Sequence, residues 1–171
     1  MCTANICRSP VVELLLADRL DSERFEVGSA GVKGWRNRPM DPMSHSELAA
    51  RGVDGSMFRS REINEPLIGL SGLILTATVD HRAEILALAP TAMRRTFTLK
   101  EFAQLAGSLA GEVAGPQELV AAAARNRRRA TGDLDIVDPY RADDELYRSV
   151  VREIDDLCTV VSGQLNSVGA A

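Results

Sequence analysis

The ten residues that open the chain, Met1 to Pro10 (MCTANICRSP), constrain its fold more than any other stretch. Five residues separate Cys2 from Arg8, a spacing that lets one loop hold a phosphate over a thiolate. Ser9 and Pro10 then read as a helix start. Ser is a good N-cap, and Pro suits the first helical position, where the missing N–H costs nothing. Val12, Leu15, Leu16 and Leu20 follow at the spacing of one buried helical face. The loop thus empties onto a helix N-terminus, whose free N–H groups and positive dipole end favour an anion. Successive loop N–H groups can form an anion nest, and the same field favours a cysteine thiolate.

The 171 residues suffice for one domain with a proper core and are too few for two comfortable ones. Apolar content of 45% and charged content of 26% are those of an ordinary globular protein. The formal charge of −4 argues against nucleic acid or an anionic membrane as partner. No apolar run approaches the ~18 residues of a membrane span. Three cysteines, an odd number, do not suggest a disulfide framework, and a working thiolate calls for a reducing compartment, so the cytoplasm is expected.

Along the chain, Phe25 to Ser29 alternates as a short strand ended by Ala30-Gly31. Residues 32–41 form a polar loop holding the only tryptophan, Trp35, which must either pack on the body or line a cleft. A helix is expected over 42–51, stopped by Gly52, and residues 54–65 are polar and basic, with Arg59-Ser60-Arg61 read as a solvated stretch. The run Gly72 to Ala77 has the pattern of a strand buried on both faces, followed by a helix over 79–88 with His81 near its start. Residues 95–99 alternate as a further strand, and Lys100 starts a helix. An Ala- and Gly-rich stretch spans 106–131, with Pro116 opening a helix and Arg125, Arg127, Arg128 and Arg129 clustering as a solvated helix end. In DLDIVDPY (133–140), an aspartate before proline is held out of helical geometry and so sits on an exposed turn. A last helix, about 143–165, carries Leu146, Val150, Ile154, Leu157 and Val161 on one face, with Cys158 buried among them. Strand and helix alternate, which argues for an α/β fold with a parallel sheet.

The full string C-x-x-N-x-C-R-S-P, the early G-S-A-G (28–31) and the late D-P-Y (138–140) together resemble the low-molecular-weight protein tyrosine phosphatases, over essentially the whole chain. The resemblance implies a single domain (1–171), a three-layer α/β/α sandwich with a four-stranded parallel sheet of flavodoxin-like order 2-1-3-4. It implies hydrolysis of protein phosphotyrosine with no cofactor or metal. The partner is then a phosphotyrosine-containing protein, a bacterial tyrosine kinase being one candidate.

Such hydrolysis needs a nucleophile, neutralisation of the phosphoryl oxygens and a proton for the leaving group. Cys2 supplies the thiolate and would form a cysteinyl-phosphate. Arg8 offers a planar fork matching two phosphoryl oxygens. The loop Thr3, Ala4, Asn5, Ile6, Cys7 would hold the remaining charge through its N–H groups. Asn5 would keep the loop in shape, and Ser9 would donate to the sulfur. The resemblance places the general acid at Asp138, although Asp133 and Asp135 are alternatives by residue type. It makes Trp35 and Tyr140 aromatic walls for the substrate ring. It also implies a reversible Cys2–Cys7 disulfide, against the plainer reading of Cys7 as a filler under the loop. Ile6, where relatives preferring phosphoarginine have Thr, favours phosphotyrosine.

The sequence departs from the family pattern at three places. Ala4 stands for the usual Gly, so either that residue avoids positive φ or the loop is strained. Ser71-Gly72 stands where an aspartate is usual. Only Met1 precedes Cys2, so the family's first strand is largely missing. Either the start is assigned too late or the chain is a shortened form, and as written it is expected to be poorly stable with low activity. The alternatives are arsenate reduction with an external thiol, since Cys158 is alone, and an inactive phosphate-binding remnant.

Overall fold

A computed structural model describes residues 1–109 and 113–169; positions 110–112 of the Ala- and Gly-rich stretch lie outside the described residues. Seven α-helices and two strands are found among them: α1 (Arg8–Arg19), α2 (Pro42–Ala49), α3 (Glu65–Leu70), β1 (Ile74–Thr76), α4 (Val79–Leu88), β2 (Thr96–Thr98), α5 (Leu99–Ser108), α6 (Pro116–Arg125) and α7 (Asp144–Ser167). Most helix starts follow the local chemistry. Asp41, Asn64, Thr78 and Asp143 accept hydrogen bonds from backbone N–H groups of the first turns of α2, α3, α4 and α7. Thr98 and Glu101 form a reciprocal capping box on α5. Two helices lack a side-chain cap: α6, which opens on Gly115 and Pro116, and α1. The latter begins at Arg8 with Cys7 as N-cap and no side-chain cap, so Ser9 is inside the first turn rather than capping it.

β1 and β2 run parallel with Leu75 opposite Phe97, and the chain crosses between them through α4 and a short 3-10 turn, Pro90–Arg95. Alternate residues of β1 serve different layers, as the pleat requires. Ile74 joins Ile68, Ile85 and Ala92 in a small cluster, whereas Leu75 and Phe97 pack in the main core. That main core is built from α1, α2, α5, α6 and α7, with Leu15, Phe102, Leu119 and Ile154 fully buried. The face of α7 runs through Tyr147, Val150, Val151, Ile154, Cys158, Val161 and Leu165; Leu146 lies outside it and is 37% exposed.

The α/β class stands, and of the four-stranded order 2-1-3-4 the regular sheet among the described residues shows two strands. Residues 25–29 form no strand. Only Gly31 pairs, by isolated parallel bridges to Cys2 and Glu62, because the segment meets the N-terminal residues at a single point. The Ala77 N–H donates to the Met1 carbonyl (2.8 Å) and that of Val32 to Cys2 (2.9 Å), so Met1 and Cys2 lie between β1 and the 31–32 segment. This is where the loop leaves the sheet and enters α1.

Candidate active site

Residues 2–8 curl into a loop whose carbonyls are taken from outside. Val32, Lys33, Trp35 and Asp41 donate backbone N–H groups to the carbonyls of Cys2, Thr3, Ala4 and Ile6 (2.9, 3.0, 3.3 and 2.9 Å), and the Ser44 hydroxyl donates to that of Cys7 (3.2 Å). All peptide bonds are trans, so each N–H on the far edge of those peptide planes points the opposite way. The N–H groups of Thr3, Ala4, Asn5, Cys7 and Arg8 donate to no protein group among the described residues. Five free donors on one curl, ending at the N-terminus of a 12-residue helix, form an anion receptor.

The curl is set by Asn5. Its φ of 60° is left-handed, and its fully buried side chain is bonded at both ends. Asn5 Nδ2 donates to Ser29 Oγ (2.7 Å), and Asn5 Oδ1 accepts the Arg61 N–H (2.9 Å). Ser29 in turn donates to Glu13 on α1 (2.5 Å), whose carboxyl is pushed above its usual range by burial. Asparagine tolerates this backbone region better than most residues. Ala4 has no positive φ, so the first of its two readings holds. The G-S-A-G string has a steric reason: a Cβ on Gly31 would strike the Thr3 carbonyl.

Arg8, buried, joins this loop to the late turn. Its NH1 donates to the Ile136 carbonyl (2.9 Å), and its NH2 meets Asp138 Oδ2 at 3.0 Å. Arg8 Nε and Ser9 Oγ are buried with no hydrogen-bond partner among the described residues. Ser9 therefore makes no bond to sulfur here, and its hydroxyl borders a very small cavity shared with Met1, Val12 and Ile136. Asp138 is half exposed, and its Oδ1 accepts the Tyr140 N–H (3.3 Å), the local turn expected of an aspartate before proline. Asp133 instead accepts the Asp135 N–H (2.9 Å) in a local turn, and Asp135 accepts the Val79 N–H (2.7 Å), so neither meets Arg8.

Cys2 is buried at the loop floor, and all three cysteines are free thiols. Cys7 belongs to the main core, against Ser44 and Tyr147, and burial pushes its thiol up to about 12. At neutral pH it stays protonated. Trp35 (51% exposed) and Tyr140 (40%) are left uncovered; the first is backbone-bonded to the loop and the second follows Asp138.

Three supporting residues were not singled out by the sequence. His81, read only as lying near a helix start, is buried with Nε2 2.9 Å from Thr3 Oγ1 and Nδ1 2.6 Å from Thr78 Oγ1. Burial, then the Arg8 charge, lowers its pKa and keeps the imidazole neutral. Glu13 and Arg61 hold Ser29 and Asn5. A buried-side histidine three residues after a helix-capping threonine was the one local signal available.

A family model described as low molecular weight phosphotyrosine protein phosphatase matches residues 1–127. The low molecular weight protein-tyrosine-phosphatase Etp of Escherichia coli is 35% identical over 96 residues, 56% of this chain and 64% of Etp, so the chain spans just under two thirds of that relative's length. A protein-arginine-phosphatase of Geobacillus stearothermophilus is 32% identical over 124 residues, 72% of this chain and 82% of the relative. Among solved structures, the YwlE arginine phosphatase of the same organism aligns with a TM-score of 0.72 at 26% identity, covering 96% of this chain and 88% of that one.

Proposed function

This chain belongs to the low molecular weight phosphotyrosine protein phosphatase family, and on that premise we propose that it hydrolyses protein phosphotyrosine through a cysteinyl-phosphate on Cys2. The observation that carries the reading is the convergence of the loop's free N–H groups, Arg8 and Asp138, brought together from opposite ends of the chain.

The phosphate dianion takes the donors of residues 3–8 and two positions on the Arg8 guanidinium. Fixed dipoles aimed at the developing charge lower the barrier without reorganising. The Cys2 thiolate attacks phosphorus and the ester oxygen leaves. Tyrosinate is a poor leaving group because the phenol pKa is ~10, so a proton must reach that oxygen. Asp138 delivers it. Asp138 is paired with Arg8; an incoming dianion competes for that guanidinium and releases the carboxylate, which takes up a proton from solvent and carries it to the leaving oxygen. Asp138 then takes the proton of the water that hydrolyses the intermediate. Trp35 and Tyr140 offer two uncovered aromatic faces for a phenyl ring.

Similarity to arginine phosphatases supports a second reading, phosphoarginine as substrate. Ile6, buried in the loop, is the residue on which the two readings differ. Arsenate reduction with an external thiol is not favoured, because the family and the similar proteins are phosphatases.

The test is turnover of p-nitrophenyl phosphate with and without vanadate, followed by phosphotyrosine and phosphoarginine. Vanadate-sensitive turnover that disappears in Cys2→Ser, with phosphotyrosine preferred, is expected. Vanadate binding without turnover would leave only a phosphate-binding remnant.

A further inference from the structure

We propose that the basic groove beside Trp35, built from residues 33–38 and 59–62, docks acidic side chains that flank the phosphorylated residue of a protein substrate. This rests on the phosphatase reading and adds a substrate class to it.

Two segments distant in sequence form the groove. The Asn37 N–H donates to the Ser60 carbonyl and the Ser60 N–H to that of Arg38 (both 2.8 Å), while the Gly31 N–H donates to Arg61 (2.9 Å). The Ser60 hydroxyl also donates to the Trp35 carbonyl. The same segments are bonded to the phosphate loop, through Arg61 to Asn5 and Trp35 to Ala4. The groove is therefore part of the rim of the site. Its open volume is about 460 Å³, lined by Arg36, Asn37, Arg59, Ser60, Arg61 and Glu62, among others.

Its charge runs against that of the molecule. The chain has 24 acidic and 20 basic residues, yet Arg36, Arg59 and Arg61 line the groove against a single carboxylate, Glu62, and the adjoining segment carries Lys33 and Arg38. All five cations are exposed. Lys33 and Arg38 have no ion pair among the described residues. Arg59 donates only to the carbonyls of Ser56 and Phe58, and Arg36 meets Glu62 (3.2 Å) in an exposed pair. Four of these cations thus do little for the fold, while Arg61 also donates to the Ser29 carbonyl. An extended peptide advances 3.3–3.6 Å per residue, so side chains within about three places of the phosphoresidue fall beside Trp35. A broad anionic membrane fits less well, because the basic surface is concave and the net charge is −4.

Each exposed charge pair is worth a factor of roughly 1.5 to 5, so three or four together give a preference of about tenfold at low salt. The experiment compares kcat/KM for two phosphotyrosine peptides, one with Asp and Glu flanks and one with Ser and Asn flanks, at low and high salt. The ratio of the two peptides cancels general damage to the site. In the native chain a ratio near ten is expected, falling towards one in high salt. R36A/R38A/R59A should bring it near one, and R36E/R38E should invert it. Glu62→Gln, which frees Arg36, should raise it about twofold. A native ratio near one at low salt, or one that the triple variant leaves unchanged, overturns the proposal. Failure of the phosphatase reading shows separately, as absent p-nitrophenyl phosphate turnover. The groove is then judged by fluorescence anisotropy of the same labelled peptides on Cys2→Ser, whose affinity ratio supports or overturns it by the same criteria.

Discussion

The phosphate loop and the turn that carries Asp138 are built in opposite ways. In the loop, five of the six carbonyls from Cys2 to Cys7 have donors from neighbouring segments, and Asn5 is bonded at both ends of its amide. The late turn is fastened chiefly at its start, where Asp135 accepts the Val79 N–H (2.7 Å). The Ile136 N–H donates to Ala77 (2.8 Å), its carbonyl receives Arg8, and its side chain is buried. Beyond Ile136 the chain emerges: Val137, Asp138 and Tyr140 are each 40% exposed or more, and Arg141 takes a left-handed φ of 63°. The anion receptor is preorganised, whereas the proton carrier hangs on a tether. That division suits a reaction in which phosphate must be held still while a carboxyl serves two steps. Arg8 belongs to both regions, its guanidinium bonded to the tether's anchor and paired with its acid.

Arg8→Lys breaks both regions at once. Lysine cannot present two parallel donors while holding Ile136, so we expect kcat/KM to fall about 10³-fold, read by steady-state kinetics. Asp138→Asn severs only the proton carrier. A loss of about 10²-fold is expected on phenolic esters, and clearly less on p-nitrophenyl phosphate, whose leaving group needs less help. A plot of rate against leaving-group pKa would separate the two. Asn5→Ala loosens the receptor while sparing the acid. It removes two buried hydrogen bonds at a left-handed position, and a stability loss of about 1–3 kcal/mol is expected in a denaturant melt, with leaving-group dependence unchanged.

The smallest effect concerns how far the rigid region extends. His81 has a depressed folded-state pKa, so the native state resists a proton that the unfolded chain accepts. Its stabilisation is complete above the ordinary value near 6.5 and is lost as pH falls through the lower folded value. Denaturation midpoints should drop from pH 7.5 to pH 5.5, and less so in His81→Gln.

The sequence and structure agree where chemistry is local. The loop string, the turn of Asp138 before Pro139, and the helix starts near residues 42, 79, 100 and 143 each depend on neighbours within a few residues. Tertiary matters were not readable. Nothing near His81 signals Thr3, 78 residues away, and nothing in Arg59-Ser60-Arg61 signals that its backbone holds Asn5 and faces Trp35. Ser9 had the composition of a cap, but the loop geometry gave that position to Cys7. Residues 25–29 had strand alternation, yet strands exist only where partners run alongside, and here pairing is limited to Gly31. That Arg8 and Asp138 serve one site is implied only by the resemblance, and their ion pair had no signal in the sequence, since no local rule links positions 8 and 138.

The proposed mechanism needs Cys2 as nucleophile and Asp138 as a separate carrier of protons. The direct measurement is rapid acid quench of p-nitrophenyl phosphate turnover by the native protein and by Asp138→Asn, with peptide mass spectrometry of the quenched chain. One phosphoryl group on Cys2, accumulating more in Asp138→Asn because hydrolysis of the intermediate has lost its base, is the predicted result. Sustained turnover with no adduct on Cys2, or an adduct on Cys7, would contradict it.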